Sequence, residues 1–394
     1  MSEAKIEEMQ GLYGPFSLFE TVLQKIWQRG DYHSRGMKTV SGRSLKVIEP
    51  GRWNSNEGPD FKEAVLEING QRLVGDVEVH FRSSDWHAHG HDRNPNFSQV
   101  VLHVLLYEPD PLETSIEGGL EAVCLLPILN CDLESYAMEE ALLELERVEH
   151  VEWLDAILKL PVELRLEAIL GFAKRRWSYK VAFAEKRLKE QGWNHACHQF
   201  TLEVLGYARN RAPMSRIASK YSLTQFSAGL DTDRLFSESR DQWKLKGARP
   251  ANHPRLRLQQ YAEICRICPY WPEKLMEIFS KQEKMDVHSG SAFRKLAATK
   301  QLQRLLAKDV FCSQLGEKRL NTLLCDAIFP LAQAKSLFEG EPFWQNWYPG
   351  DMPLGLVRAF DRVGLSKGKF PKTNGLLQGI LELATVKSDE LTEL

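Results

Sequence analysis

The sequence has no long apolar run, no leader-like N-terminus and no marked excess of one charge. Its first ten residues are polar and charged, which is unlike a secretory signal. No stretch of about 18 apolar residues occurs, so a membrane-spanning helix is not expected. The formal net charge is -2, whereas nucleic-acid-binding proteins usually carry a basic field. We therefore predict a cytoplasmic protein that does not enter a membrane, in which any contact with nucleic acid is local.

A second cysteine pair and several familiar catalytic motifs are also missing. The seven cysteines are scattered, and the CxxC pair Cys265–Cys268 has no second pair with which to complete a zinc site. We interpret this pair as half-buried thiols of a helix in a reducing compartment. The chain has no Walker phosphate loop, no GxGxxG opening a helix and no G-x-S-x-G nucleophile elbow. Nucleotide-driven and serine-hydrolase chemistry are therefore not expected.

Residues 1–131 have the pattern of an α+β domain. Ser17 and Glu20 have the spacing of a capping box, and the apolar positions that follow have helical periodicity as far as Gly30. Strand-like runs come next, and the Asn-Gly pair at 69–70 is a strong hairpin signal between two of them. The predicted strands are Leu45–Ile48, Phe61–Ile68, Leu73–Phe81, Val100–Tyr107 and Ala122–Leu129. We predict a helix followed by a three-stranded meander within a mixed sheet.

Residues 132–394 predict a mostly α-helical domain, which could divide again near residue 240. Charged segments with helical periodicity follow one another, separated by Pro and Gly. The segments are Tyr136–Leu160, Val162–Gln191, Gln199–Tyr207, Leu256–Cys268, Trp271–Lys284, Ala292–Lys308, Arg319–Ala334 and Leu376–Val386. A basic stretch, Lys174–Arg176 with Lys180, is interpreted as a solvated helix face.

Three ionisable residues alternate along the third strand of the meander. Asp76, Glu78 and His80 should point to one face of the sheet, where they need solvent, a cation or a metal ion. Because the hairpin folds the preceding strand back onto this one, Asp60 should lie near Glu78 and His80. The pattern predicts a metal site on an open sheet face. A solvated face without catalysis, and a simple turn role for Asp60, are the alternatives.

Pro59-Asp60 together with Glu78-Val79-His80 resembles the PD-(D/E)xK phosphodiesterase motif, with its restriction-endonuclease-like helix and meander. The resemblance implies that Asp60 and Glu78 hold Mg²⁺ or Mn²⁺ against a phosphate of DNA or RNA, with Asp76 as a supporting carboxylate. His80 would then orient or deprotonate water, or act as a third ligand. Two features depart from that family. His80 replaces a lysine, and residues 82–98 have a loop pattern where the family has a helix.

Five of the eleven histidines lie within the 24 residues from His80 to His103. His89 and His91 belong to an HxHxH run, whose imidazoles suit Zn²⁺, Mn²⁺ or Fe²⁺. One alternative function is therefore a Zn or Fe enzyme built on this loop, with the carboxylates supporting the ligands. Another is a non-catalytic binding or scaffold protein whose sheet site has decayed. His103 lies in an apolar strand and is predicted to be a core residue, while Trp86 is predicted to anchor the loop.

Four segments of the N-terminal half also resemble a bacterial family, domain of unknown function two-eight-five-one. They are GPDF at 58–61, G-x-V-E-x-H at 75–80, S-D-W-x-x-H-x-H at 84–91 and V-x-L-H-V at 100–104. The helical half is similar at Leu205–Tyr207 with Asn210, and at Arg249-Pro250 with Asn252 and Pro254. The resemblance covers nearly the whole chain and implies no particular activity.

Overall fold

A computed structural model describes residues 6–11, 14–54, 56–109, 120–129, 133–147, 152–245, 250–282, 290–352, 354–365 and 371–384. The chain forms two compact units. The first comprises Met1–Glu8 and Ser17–Tyr136, and the second comprises Met9–Phe16 and Ala137–Leu394. The boundary predicted at 131 lies outside the described residues. The fold class is α+β, as predicted, and none of the described helices is both long enough and apolar enough to cross a membrane.

The first unit is built on a mixed β-sheet. Its strands are β3 (Leu45–Glu49), β4 (Arg52–Trp53), β5 (Phe61–Ile68), β6 (Gln71–His80), β7 (Val100–Leu105) and β8 (Glu121–Cys124). Two earlier strands, β1 (Ile6–Gly11) and β2 (Gly14–Phe19), are divided between the two units. β1 and β2 pair with each other, and the other strands form a sheet of order β3-β5-β6-β7-β8 with β4 also on β5. β3, β5 and β6 form the predicted antiparallel meander. β7 and β8 add in parallel, which makes β6 a central strand.

The β5–β6 hairpin follows the Asn-Gly signal. Asn69 and Gly70 have φ values of 50° and 80°, the left-handed conformations that a two-residue type I′ turn requires. Gly75 is needed on β6 because a Cβ there would lie 2.4 Å from Val101 Cγ1 of β7. Residues 62–63 of β5 form a bulge, with Glu63 at a φ of 59°. The hairpin is therefore regular near its turn and irregular near its open end.

Two helices are associated with this sheet, α1 (Glu20–Arg29) and α2 (Asp85–Ala88). The capping box predicted for α1 is wrong. Since β2 continues through Phe19, Ser17 is part of a strand, and the helix begins at Glu20 without a side-chain cap. The predicted apolar face is buried at Val22, Leu23, Ile26 and Trp27, whereas Phe19, also predicted for it, ends β2 and is exposed. Gly30 ends the helix in a left-handed conformation.

The second unit is mostly helical, as predicted. Its helices and the one that leads into it are α3 (Leu133–Arg147), α4 (Glu152–Lys159), α5 (Val162–Lys220), α6 (Leu223–Ser227), α7 (Thr232–Glu238), α8 (Pro254–Ile267), α9 (Trp271–Phe279), α10 (Gly290–Leu296), α11 (Thr299–Leu305), α12 (Glu317–Leu323), α13 (Phe329–Ala334), α14 (Gly340–Asn346), α15 (Leu354–Arg362) and α16 (Asn374–Leu383). The backbone of α5 leaves helical geometry at Gly192 and Tyr207. Trp177, Trp271 and Trp344 are buried in the hydrophobic core of this unit.

The basic stretch of α5 is solvated only in part: Lys174 is exposed, as predicted, whereas Arg176 and Lys180 are not. Arg176 is buried and bonds Glu382 on α16 at 3.2 Å. Lys180 is also buried, and its Nζ lies 2.8 Å from Asp326 Oδ1. Because α5 packs against other helices on this side, these charges serve internal ion pairs and not a surface for phosphates.

Candidate metal centre

Three histidines bring ring nitrogens together at the C-terminal end of β6. His80 is the last residue of β6, His89 follows α2, and His91 opens a short 3₁₀ turn. One ring nitrogen from each of the three lies within 4.8 Å of the other two. His80 Nε2 is 3.1 Å from His89 Nδ1, and the rings of His80 and His91 stack with centroids 5.2 Å apart. We call these three residues the histidine cluster.

Glu78 adds a carboxylate oxygen to the histidine cluster. Its Oε1 lies 3.4 Å from His80 Nε2 and 3.2 Å from His91 Nε2. Its other oxygen, Oε2, accepts a hydrogen bond of 2.9 Å from the backbone N–H of Asp60. Since Glu78 and His80 are two residues apart on an extended strand, both side chains leave the same face of β6. One carboxylate oxygen is thus fixed by the backbone, and the other faces the imidazoles.

Asp60 lies beside Glu78, at the open end of the hairpin where the sequence predicts it. Its Oδ2 accepts a hydrogen bond of 3.0 Å from the backbone N–H of Val79, and its Oδ1 accepts one of 2.7 Å from Gln24 Nε2 of α1. The sequence reasoning did not identify Gln24. A single amide on an amphipathic helix carries no signal of such a contact.

Burial controls the protonation of these side chains. Removal from water raises the pKa of Glu78 to about 8. Burial, together with the neighbouring Glu78 charge, also raises the pKa of Asp60 to about 8. For His91 burial acts in the opposite direction and lowers the pKa. Without a bound cation, the site therefore holds its carboxyl groups partly protonated near neutral pH and favours a neutral His91.

His103 of β7 lies directly behind the histidine cluster. It is fully buried, as predicted for a core residue, and its Nε2 is 2.8 Å from His80 Nδ1. Burial lowers the pKa of His103 to about 3, so its ring is neutral. A neutral His103 can accept the Nδ1–H of His80 at Nε2, which leaves the lone pair of His80 Nε2 directed at the cluster. His103 is thus suited to orient His80.

Aromatic packing holds the loop that carries His89 and His91. Trp86 lies against His91, Phe97 and His103, with ring centroids 5.3, 5.9 and 5.3 Å apart. His91 also stacks on Phe97, with centroids 3.8 Å apart. The loop contains α2 and two short 3₁₀ turns and no longer helix, so the loop interpretation of residues 82–98 is close to the structure. Trp86 makes the anchoring contacts that the sequence suggested.

Asp76 and His87 are not brought into the histidine cluster. Asp76 Oδ2 lies 2.8 Å from Lys62 Nζ, and Oδ1 accepts a hydrogen bond of 3.2 Å from Glu63 N in the bulge. Asp76, Glu78 and His80 are all buried, so the expected open or solvated face is wrong. The reason is that β6 is central and its C-terminal half is covered on both sides. The side chain of His87 is 48% exposed, and its Nδ1 lies 3.7 Å from Asp92 Oδ2, outside the histidine cluster.

The donor atoms fit a transition-metal ion. Three imidazole nitrogens and one carboxylate oxygen form a donor set typical of Zn²⁺, Mn²⁺ or Fe²⁺, whereas Mg²⁺ prefers oxygen ligands. Bonds of 2.0–2.1 Å in a tetrahedral site imply donor separations of about 3.4 Å. The separations around Glu78 Oε1 and His80 Nε2 are 3.1, 3.2 and 3.4 Å. The ring nitrogens of His91 are buried and make no hydrogen bond with the described residues, although Nε2 faces Glu78.

Comparison with known proteins identifies a family. The family described as "Protein of unknown function (DUF2851)" matches residues 20–234, which include every residue of the candidate centre. No curated protein and no solved structure matches the chain. Since the matched segment spans more than half of the 394 residues, the chain belongs to the DUF2851 family.

Proposed function

We propose that this protein is a metal-dependent phosphodiesterase acting on nucleic acid, with a transition-metal ion held by the histidine cluster and Glu78. The observation that carries the proposal is that three imidazole nitrogens lie within 4.8 Å of one another, with a buried carboxylate oxygen of Glu78 at 3.4 and 3.2 Å from two of them. The substrate class comes from the pairing of Asp60 with Glu78 across a hairpin, which resembles the arrangement in PD-(D/E)xK enzymes.

The proposed roles differ from those that the motif alone suggests. Both ring nitrogens of His80 have neighbours, Nδ1 at His103 and Nε2 at His89 and Glu78. We therefore assign His80 as a ligand rather than the water-orienting base. A bound ion would supply a Lewis acid that polarises a phosphoryl oxygen and makes a water molecule more acidic.

Asp60 is the candidate proton acceptor. It is fixed beside Glu78 by Gln24 and Val79, and its raised pKa allows it to exchange a proton near neutral pH. Lys62, held by Asp76, places a positive charge that acts on Glu78 and is suited to attract a phosphate. The sequence reasoning missed Lys62, although its place two residues after Asp60 was visible.

Metal content provides the direct test of the histidine cluster. We expect the purified chain to hold about one transition-metal ion, and His89→Ala and His91→Ala to lose it, because each removes one of four donors. His87→Ala is the matched control, since this exposed histidine of the same loop lies outside the cluster. Elemental analysis of the four proteins measures the outcome. Retention of metal by both cluster variants would contradict the assignment.

Cleavage of generic single- and double-stranded DNA and RNA then tests the reaction. Mn²⁺, Zn²⁺, Fe²⁺ and Mg²⁺ are added in turn to chelator-treated protein. The proposal requires metal-stimulated cleavage by the wild type and by His87→Ala that is lost in His89→Ala. Stoichiometric metal without cleavage of any of these substrates would favour an enzyme with another substrate. A chain that binds no metal would favour the scaffold interpretation.

His103 offers a separate prediction about ligand orientation. His103→Leu should weaken metal binding about 10–100-fold, the usual effect of losing the hydrogen-bond partner of a ligating histidine. His103→Gln, whose amide oxygen can accept from His80 Nδ1, should recover part of this loss. Competition with a chromophoric chelator measures the affinities. Equal metal affinity in His103→Leu and the wild type would show that His80 needs no such partner.

A further inference from the structure

A cavity of about 730 Å³ in the second unit contains two buried arginines. Arg257 projects from α8 and Arg319 from α12, and both side chains are at least nine-tenths buried. Other lining residues are Asn252, Leu256, Tyr348 and Asp351. The volume is within the range of small-molecule sites, about 300–1,000 Å³.

Among the described residues, Arg257 donates hydrogen bonds only to neutral groups, although the charge of Asp351 also acts on it. Its guanidinium donates to Tyr207 Oη and Asn252 Oδ1, both at 3.1 Å, and to Gln260 Oε1 at 2.9 Å. Its Nε is buried and makes no hydrogen bond with the described residues. Asp351, whose charge acts on Arg257, forms its ion pair with Arg319 instead. A buried guanidinium that shares one carboxylate with a second arginine is costly for a folded protein, so its presence beside a cavity points to an anion.

Arg319 reaches the same place from another helix. Its guanidinium carbon lies 3.2 Å from the ring centroid of Tyr207, the residue that Arg257 also contacts. Asp351 pairs with Arg319 at 2.7 Å, but Arg319 Nε is buried without a hydrogen bond in the described part of the chain. Tyr207 itself has a φ of 56°, a conformation unusual for a tyrosine, at the point where α5 leaves helical geometry.

The cavity also has an excess of positive charge. Its lining includes three basic residues, Arg257, Lys318 and Arg319, and two acidic residues, Glu317 and Asp351. Glu317 is in addition paired with Lys300, at 2.7 Å. The local field therefore favours an anion, in contrast to the near-neutral chain as a whole.

We propose that this cavity binds a small molecule that carries a phosphate group. Two guanidinium groups that approach from different helices can reach several oxygens of a tetrahedral anion, whereas one planar arginine fork is enough for a carboxylate. The volume leaves room for an organic moiety beyond the phosphate. This inference does not depend on the proposed metal centre.

Calorimetric titration of the chelator-treated full chain tests this site. The probes are inorganic phosphate, pyrophosphate and AMP, with citrate as the carboxylate arm. We expect at least one phosphate probe to bind the wild type, and Arg257→Gln to bind it about tenfold or more weakly, as expected for loss of a charge-assisted contact. Arg266→Gln is the matched control, because Arg266 lies on the same helix but pairs with Glu263 at an exposed position.

The inference is overturned by no binding of any phosphate probe, by equal binding in Arg257→Gln and the wild type, or by citrate binding as tightly as the phosphate probes. An equal loss in the Arg266→Gln control would also overturn it. If Arg257→Gln does not fold, Arg257→Lys keeps the charge and removes the fork, and the same weakening is expected. Circular dichroism shows which variant is folded.

Discussion

Glu78→Gln is expected to stabilise the metal-free protein and to abolish its metal binding. Burial raises the pKa of Glu78, so the ionised form is unfavourable in the folded state. An uncharged amide removes this cost, and its oxygen can still accept the N–H of Asp60. The gain in the free energy of unfolding is on the order of 1–3 kcal/mol near pH 8. Denaturant unfolding with a chelator, and with added Mn²⁺ or Zn²⁺, measures both effects.

The control for this substitution is Glu63→Gln. Glu63 lies on the neighbouring strand, but its side chain is 69% exposed and pairs with Arg52. An exposed ion pair contributes little, so neither stability nor metal binding should change beyond about 1 kcal/mol. If Glu78→Gln instead destabilised the metal-free protein, Glu78 would be a structural residue, and the metal assignment would lose its carboxylate.

This combination of effects separates a functional site from a structural one. A buried carboxyl group retained only for folding should be matched by a cation or by a full set of hydrogen bonds. Asp76 fits that description, because Lys62 and the Glu63 amide occupy its two oxygens. Glu78 instead directs one oxygen at two imidazoles, an arrangement that a divalent cation would stabilise. Asp76 and Glu78 lie on the same strand, so it is their hydrogen-bond and ion-pair partners that distinguish a structural carboxylate from a candidate metal ligand.

The local parts of the site could be predicted from the sequence. The Asn-Gly turn pairs β5 with β6 and so brings Asp60 near Glu78, as predicted, but the bulge at residues 62–63 is what places Asp60 opposite Glu78. The HxHxH spacing directed attention to His89 and His91, which the structure brings to His80. These relationships depend on alternation along a strand and on short distances in the chain, and both are visible in the residues.

The contacts that could not be predicted depend on pairings distant in sequence. His103 reaches His80 because β7 adds to β6 in parallel, with Glu78 opposite His103. Parallel strands are joined by a crossover, and no turn motif fixes their register. The bulge at residues 62–63 likewise gives Asp76 partners of its own, Lys62 and the Glu63 N–H, which alternation along β6 does not predict. The capping box failed for a similar reason, since pairing in β2 determines where α1 begins.

The pH dependence of stability should reverse when the metal ion is bound. Asp60 and Glu78 have folded pKa values of about 8, well above the pKa values of the same groups in an unfolded chain. At a pH between the unfolded and the folded pKa, the folded state therefore binds more protons than the unfolded state. The metal-free protein should therefore lose stability as pH rises from about 6.5 to about 8, by at most about 1.4 kcal/mol per pH unit for each proton. Below about pH 6.5 the unfolded state binds more protons at His91 and His103, whose pKa values are lowered in the folded state, so these histidines make stability rise with pH. The test is therefore made between about pH 6.5 and 8.

A metal ion must displace the protons of the Asp60 and Glu78 carboxyl groups. Its affinity should therefore rise between about pH 6.5 and 8, where the metal-free protein loses stability. Each displaced proton contributes up to about tenfold in affinity per pH unit. Thermal unfolding at a series of pH values, with chelator and with Mn²⁺ or Zn²⁺, should show two curves that diverge as pH rises. Glu78→Gln should flatten the metal-free curve, and Glu63→Gln should not. A metal-free protein whose stability rises between about pH 6.5 and 8 would show that the two carboxyl groups are ionised at no cost, and a site of that kind would have no need of a cation.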